Sequence, residues 1–120
     1  MESNIRKECI FCRIADKDIP ANLVWEDDDV VAFADLNPVA PVHVLIIPRK
    51  HISCLNEITE EDIPLFGKIN YVASRIAQKM GIAESGWRLV NNCGKDAGQE
   101  VFHVHFHLIG GENLGRFKQK

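Results

Sequence analysis

Short apolar stretches bounded by turn residues recur along this chain and predict β-strands. The stretches are residues 23–26, 30–34, 42–47, 87–91 and 101–109, separated by Asp, Asn, Gly and Pro. Runs of this length that are rich in valine, isoleucine and aromatic residues are typical of strands, because such side chains suit a pleated surface. We therefore predict about five strands in a mainly antiparallel sheet.

The apolar spacing becomes helical between the third and fourth of these stretches. Thr59 is a candidate N-cap, acidic residues fill the turn after it, and Gly81 is a plausible stop. One long helix combined with several strands predicts an α+β fold. The apolar positions of the helix are three or four residues apart: Leu65, Ile69, Val72, Ile76 and Met80.

Length and composition predict one folded domain. The 120 residues favour a flexible N-terminal tail at 1–7, a domain at 8–111 and a C-terminal tail at 112–120. The net charge of −3 argues against nucleic-acid binding, which is usually basic. The sequence has neither a run of about 18 apolar residues nor a signal-peptide pattern. We therefore expect a cytoplasmic protein without a membrane partner, with its four cysteines as thiols or metal ligands.

Three of the five histidines alternate near the end of the chain, at His103, His105 and His107. Side chains in a strand alternate between its two faces, so the three imidazoles would line one face about 6.6 Å apart. The residues between them would point into the core. Those residues are Phe102, Val104, Phe106 and Leu108.

Three explanations fit such a row of imidazoles. The histidines could be hydrogen-bonded structural residues, they could chelate a metal through His-x-His, or one could attack phosphorus as a nucleophile. The glycine-containing loop at residues 94–99 favours the third, because glycine lets backbone N–H groups approach an anion closely.

Several motifs together resemble the histidine triad family. They are the segment 98–108, which contains the histidine row, the segment 41–53, and Asp-Leu-Asn-Pro at 35–38. Within the family the chain most resembles the Hint branch, whose members hydrolyse purine nucleoside phosphoramidates. The resemblance implies a compact α+β protomer and a homodimer in which the sheet continues across the interface.

The resemblance implies that His105 is the nucleophile and forms a nucleotidyl-histidine that water then hydrolyses. Its second ring nitrogen would donate to a carbonyl, which fixes the tautomer. His107 would bind a phosphate oxygen or assist the leaving group. His103 and His43 would complete the active site.

The resemblance also implies a nucleotide-binding set. Asp35 and Leu36 match positions that contact the ribose, and Phe11 and Phe33 match apolar walls of a base pocket, although plain core packing explains each phenylalanine equally well. The positions that match phosphate contacts are Asn92, Gly98 and Gln99.

Glu100 departs from many relatives, which carry serine or threonine at that position. A carboxylate facing the phosphate would repel it. We therefore expect Glu100 to use its backbone N–H, and its side chain to turn aside or to meet a cationic leaving group.

Cys9 and Cys12 form a Cys-x-x-Cys pair. A redox dithiol is one interpretation, but the strand-then-helix context of thioredoxin-like sites is missing. Two thiolates alone do not complete a zinc site, which needs four ligands. The resemblance supports His51 and His103 as the other two. We therefore expect a structural zinc ion and no cofactor in the chemical step.

The leading hypothesis is a hydrolase of purine nucleoside 5′-phosphoramidates, including adenosine 5′-monophosphoramidate and nucleotidylated lysine. One alternative within the family is a dinucleoside polyphosphate hydrolase or a nucleotidyltransferase, which shares the covalent step. Another is a nucleotide-binding regulatory or interaction module.

Overall fold

Five strands form one antiparallel sheet in the order β1-β2-β3-β5-β4. This computed structural model describes residues 6–117. The α+β fold and the antiparallel sheet predicted from the sequence are therefore confirmed. The strands are β1 (Leu23–Glu26), β2 (Val30–Ala34), β3 (Val42–Pro48), β4 (Trp87–Asn91) and β5 (Phe106–Gly110).

The helices are α1 (Ile10–Ala15) and the long α2 (Ile63–Lys79), with short 3₁₀ turns at Leu55–Glu57, Glu60–Asp62 and Lys95–Ala97. Thr59 and Asp62 form a capping box, as the sequence suggested for Thr59, but the 3₁₀ turn delays the start of α2 to Ile63. The chain leaves α2 through Gly81, whose φ of 77° is readily adopted by glycine. None of the helices in residues 6–117 is long and apolar enough to cross a membrane.

The two faces of the sheet carry separate apolar clusters. Because side chains alternate along β2, Val30 and Ala32 face α2, whereas Val31 and Phe33 face α1. His107 pairs with Leu45, which belongs to the α1 cluster. The imidazole of His107 therefore lies on the face that the short helix α1 partly covers.

The strand predicted for residues 101–109 was wrong for its first five residues. The strand β5 begins at Phe106, where Asn91 ends the adjacent strand. Before this point the backbone has a different partner, since the amide of Val104 donates to the carbonyl of Ile52 at 2.7 Å. Phe102, expected in the core, is 54% exposed.

The predicted tails are residues 1–7 and 112–120. Of these, residues 1–5 and 118–120 lie outside the described residues. Within the C-terminal segment, the guanidinium of Arg88 donates to the carbonyl of Gly115 at 2.7 Å, so this part is tied to β4. The division into one domain and two tails stays a prediction.

The α2 face should dominate the stability of the fold. Ile76 is fully buried among the residues that join α2 to the sheet. We expect Ile76→Ala to lower the free energy of unfolding by about 2–5 kcal/mol, because it removes buried methyl groups and leaves a cavity. Gln78→Ala, at an exposed position of the same helix, is the control. Urea denaturation would measure both, and equal stabilities would contradict the assignment of this face as the main core.

Candidate active site and metal centre

His105 has its tautomer fixed by the backbone. Its Nδ1 lies 2.8 Å from the carbonyl oxygen of His103, and a carbonyl can only accept. The proton of the neutral ring therefore sits on Nδ1, and Nε2 keeps its lone pair. A buried imidazole in this state is suited to nucleophilic attack.

The backbone of His105 is held from a neighbouring strand by a side chain that sequence reasoning missed. The Nδ2 atom of Asn91, at the end of β4, donates to the carbonyl oxygen of His105 at 2.9 Å. This bond extends the pairing of β4 and β5 one residue beyond Phe106. The only sequence signal was its position at the end of a predicted strand, next to Asn92.

A second chain of contacts fixes His43 and His107. The amide of Val39 donates to Nδ1 of His43 at 3.1 Å, so the proton of a neutral His43 lies on Nε2. That Nε2 lies 2.9 Å from Nδ1 of His107, which must then accept. Burial is the main cause that lowers the pKa of His107, with the nearby rings of His105 and His43 adding to it.

Asp35 connects the loop after β2 to the same rings. Its Oδ1 accepts from the amide of Asn37 at 2.7 Å, and its Oδ2 lies 3.4 Å from Nε2 of His43. Each carboxylate oxygen has a further lone pair. Asp35 could therefore still accept hydrogen bonds from a ligand.

The aromatic rings of the site form one continuous row. His43 and His107 have ring centroids 5.1 Å apart, and His107 and His105 have centroids 5.2 Å apart. Phe11 then contacts both His105 and His103 edge-on, with centroid separations of 5.1 and 6.0 Å. The three histidines of the motif thus belong to one row of rings, in which Phe11 lies between His105 and His103, although only His107 lies in a strand.

The metal centre predicted from the cysteines is assembled from three distant parts of the chain. Cys9, Cys12, His51 and His103 bring one donor atom each, and all four atoms lie within 4.8 Å of one another. Nδ1 of His103 is 3.4 Å from Sγ of Cys9 and 3.5 Å from Sγ of Cys12, and Nδ1 of His51 is 3.3 Å from the latter. Tetrahedral coordination by two thiolates and two imidazoles separates sulfur and nitrogen donors by about 3.5 Å, so the residues fit a metal ion.

Hydrogen bonding and burial determine which donor atoms of this set carry a proton. Nε2 of His103 donates to the carbonyl of Pro48 at 2.8 Å, which leaves Nδ1 free of a proton and facing the thiols. Burial lowers the pKa of His103 to about 4 and raises that of Cys12 to about 11. Without a cation the thiol of Cys12 is thus protonated at neutral pH, and metal binding would release protons.

A second set of metal-ligand residue types, Asp35, His43 and His107, also converges within 4.8 Å. Here the backbone argues against a metal, because the Val39 amide occupies Nδ1 of His43 and leaves a proton on Nε2. An N–H cannot coordinate. The same hydrogen-bond reasoning therefore distinguishes a metal centre at Cys9 from a hydrogen-bonding site at His107.

The loop expected to bind phosphate is closed by its own hydrogen bonds. Buried Gln99 accepts from the amide of Gly94 through Oε1 and donates through Nε2 to the carbonyls of Ser53 and Val101. The amides of Gly98 and Gln99 donate to Lys95 and Gly94. These bonds shape the loop. They do not test the predicted contact of Gly98 and Gln99 with phosphate, which stays a prediction.

The other predicted binding residues differ in their exposure. Phe11 and Phe33 are buried and pack edge-on, with centroids 5.6 Å apart, as core packing alone would require. Leu36 is 94% exposed beside Asp35, and Asn92 is half-buried directly after β4. Their roles as nucleotide contacts remain predictions.

Glu100 is exposed at the edge of a groove of about 380 Å³ next to the metal centre. The groove is also lined by Glu8 and His51. Glu100 is therefore open to solvent, where it could meet a cation.

Comparison with known proteins identifies similar sequences and structures. A model of the HIT domain matches residues 16–114. The chain is 45% identical over 109 residues to a protein of Escherichia coli strain K12 called purine nucleoside phosphoramidase, covering 91% of this chain and 92% of that one. A histidine triad protein from Clostridium difficile superposes with a TM-score of 0.91 at 45% identity, covering 98% and 100% of the two chains. A HIT family hydrolase from Clostridium thermocellum gives 0.91 at 46% identity, covering 93% and 97%.

The metal centre makes a prediction about stoichiometry. We expect protein purified without chelators to carry about one transition-metal ion per chain and Cys9→Ser to lose it, because a four-ligand site would lose one thiolate. Cys54→Ser is the control, since Cys54 is a free thiol outside the set. Elemental analysis would measure both. Metal retained in full by Cys9→Ser would contradict a site that depends on this thiolate.

Proposed function

Because this chain belongs to the histidine triad (HIT) domain family, we propose that it hydrolyses purine nucleoside 5′-phosphoramidates. Adenosine 5′-monophosphoramidate and nucleotidylated lysine represent the substrate class. The observation that carries the proposal is the hydrogen bond from Nδ1 of His105 to the carbonyl of His103, since it leaves Nε2 unprotonated for attack. The name of the Escherichia coli relative supports the choice of substrate.

The reaction proceeds in two displacements at the α-phosphorus. Nε2 of His105 forms a bond to phosphorus while the phosphorus–nitrogen bond breaks, and the departing nitrogen takes up a proton and leaves as the amine. The nucleotidylated ring is cationic, and its Nδ1–H still donates to the carbonyl of His103, which stabilises that charge. Water then attacks phosphorus and gives up a proton to solvent, the bond to His105 breaks with its electron pair returning to Nε2, and the nucleoside monophosphate is released.

The surrounding residues bind and orient the nucleotide in this proposal. The carboxylate of Asp35 accepts from the ribose hydroxyls, beside the apolar Leu36. Asn92, Gly98 and Gln99 contact the phosphate in this proposal, and Phe11 and Phe33 support the base. His107 donates to a phosphate oxygen.

We infer that zinc is the ion held by Cys9, Cys12, His51 and His103, because two thiolates and two imidazoles in a closed set are typical of structural zinc. When bound, the ion would tie α1 to the histidine row. Phe11 lies between the two cysteines in sequence and contacts the His105 ring. A bound ion would therefore also hold Phe11 against the ring of the proposed nucleophile. The chemical step itself needs no cofactor.

We also propose a homodimer joined through β4, and a cytoplasmic location. The strand β4 lies at one edge of the sheet, and an edge strand presents backbone groups that can pair with another chain. The cytoplasmic location rests on the sequence, whose cysteines we expect to be thiols or metal ligands in a reducing compartment.

The dimer predicts a molecular mass in solution of twice 13.5 kDa, which light scattering would measure. Introducing proline at Leu89, in the middle of β4, should shift the protein toward monomer, since proline removes a backbone donor. Proline at Val24 in β1, the opposite edge strand, is the control. A monomeric wild type would contradict the dimer and leave the chemistry of the protomer open.

The nucleophile is tested by His105→Ala with adenosine 5′-monophosphoramidate as substrate. We expect kcat to fall by about 10³-fold or more, because the covalent step is lost, while nucleotide still binds. Diadenosine polyphosphate assayed in parallel would separate the phosphoramidase from a dinucleotide hydrolase. Nucleotide binding without turnover of either compound by the wild type would favour a binding module.

The exposed carboxylate of Glu100 should select cationic leaving groups. Glu100→Gln keeps the size of the side chain and removes its charge, and Glu100→Ser places a hydroxyl there. Relative to wild type, we expect both variants to lower kcat/KM for a lysyl phosphoramidate about two- to fivefold more than for an uncharged alkyl phosphoramidate, as for an exposed ion pair. Unchanged relative rates would contradict this role.

A further inference from the structure

We propose that Asn91 is a positioning residue for the nucleophile, because it ties the backbone of His105 to the strand end that carries Asn92. The inference rests on the proposed function, in which His105 attacks phosphorus and Asn92 contacts the phosphate. Two consecutive residues at the end of β4 then set the separation between the attacking nitrogen and the bound phosphate. Asn91 acts through His105 and does not itself touch the substrate.

His105 lies in a segment that precedes the regular part of its strand. The strand β5 begins at Phe106, so residues 103–105 come before its pairing with β3 and β4. The hydrogen bond from the ring of His105 to the carbonyl of His103 is internal to this segment. That bond fixes the ring relative to its own backbone. Other contacts must fix the backbone relative to the sheet.

Contacts on the β3 side hold the start of this segment. Nε2 of His103 donates to the carbonyl of Pro48, the last residue of β3, at 2.8 Å. The amide of Val104 donates at 2.7 Å to the carbonyl of Ile52, in the chain that follows β3. Both bonds are made by residues that precede His105. The peptide group that follows His105 therefore needs support from another part of the sheet.

That support comes from the end of β4. Nδ2 of Asn91, the last residue of the strand, donates to the carbonyl of His105 at 2.9 Å. Because a carbonyl oxygen can only accept, the amide nitrogen of Asn91 faces it and the amide oxygen does not. The segment is thus held from β3 before the nucleophile and from β4 at the nucleophile itself.

Asn91 supports His105 from the face of the sheet opposite the candidate site. Leu89 packs against the α2 cluster, and side chains alternate along β4, so Asn91 also lies on the α2 side. Val90 pairs with His107, whose ring lies on the α1 side. A nucleotide bound at the row of rings is therefore separated from Asn91 by the sheet, which makes Asn91 a positioning residue.

Asn92 follows directly and is half-buried. The alternation of β4, continued by one residue, predicts that Asn92 lies on the same side as Val90, where the rings are. The residue that holds the nucleophile and the residue proposed to hold the phosphate are thus joined by one peptide bond. Rates of reaction between bound groups depend steeply on this separation, and a misplacement of about 1 Å can cost about 10²-fold.

The kinetic test compares Asn91→Ala and Asn91→Asp with the wild type on adenosine 5′-monophosphoramidate. Alanine removes the donor, and aspartate keeps the shape but places a carboxylate, which cannot donate, against the carbonyl oxygen. We expect kcat to fall about 10- to 100-fold in both variants with KM little changed, because the nucleophile shifts while the nucleotide contacts remain. Asn91→Gln keeps an amide donor and should retain more activity than either.

Asn70 offers a matched control on the exposed surface of α2. Its Nδ2 also donates to a backbone carbonyl, that of Phe66, at 2.9 Å. Asn70→Ala and Asn70→Asp remove the same kind of bond, and we expect both to keep the kcat of the wild type. An unchanged kcat in Asn91→Asp would overturn the proposal. A higher KM with kcat preserved would also overturn it, because Asn91 would then contact the nucleotide.

Amide hydrogen exchange tests the tie without any enzymatic activity. We expect the amide of Val104 to exchange about fivefold or more faster in Asn91→Ala than in the wild type, because the segment loses its hydrogen bond to β4. Asn70→Ala should leave this rate unchanged. Equal exchange in all three proteins would overturn the tie. A wild type that does not turn over the phosphoramidate would refute the proposed function, while faster exchange would still support the tie.

If the Asn91 variants do not fold, the wild type alone decides. We expect NMR spectra to show a coupling across the hydrogen bond between Nδ2 of Asn91 and the carbonyl carbon of His105. The backbone hydrogen bonds between β3 and β5 serve as the internal reference. Detection of the reference couplings without the Asn91 coupling would overturn the proposal.

Discussion

The structure of the site depends on the three hydrogen-bonding groups of one buried residue, His103. Its Nε2–H donates to Pro48, its Nδ1 faces the two thiols, and its carbonyl accepts from the ring of His105. Each bond restricts the others, because the ring cannot turn toward the thiols without placing its opposite nitrogen on Pro48. His103, a candidate metal ligand, thus also orients His105, the proposed nucleophile, and it joins the two sites through one peptide unit.

Backbone groups determine the protonation pattern of the whole row. The carbonyls of Pro48 and His103 and the amide of Val39 each meet one imidazole nitrogen. A peptide group has a fixed donor or acceptor character and does not titrate, unlike the carboxylates that often orient histidines. The pattern therefore depends mainly on groups that do not titrate, in a region where desolvation lowers the pKa of His103 and His107.

The two faces of the sheet differ: one carries the main apolar core, and the other carries the candidate site. The long helix α2 covers one face with a continuous apolar cluster. The other face is covered by α1, which has six residues and is too short to be a stable helix alone. Cys9, the N-cap of α1, and Cys12 inside it join this helix to His51 and His103, so a bound ion would supply the cohesion that its length cannot.

Periodicity and turn chemistry in the sequence determined most of the fold. The bounds of β1, β2 and β4 agree with their apolar stretches, because turn residues flank each stretch and each strand pairs with a neighbour in the sheet. Alternation failed at residues 101–105, where the backbone pairs with Ile52 instead of a strand, and such a partner has no local signal. Residue types identified the histidine row and the Cys-x-x-Cys pair, and the family resemblance added His51. For His103, His43 and His107, only the tertiary structure decided which ring nitrogen carries the proton, because that depends on the carbonyl of Pro48 and the amide of Val39, which almost any residue type could provide.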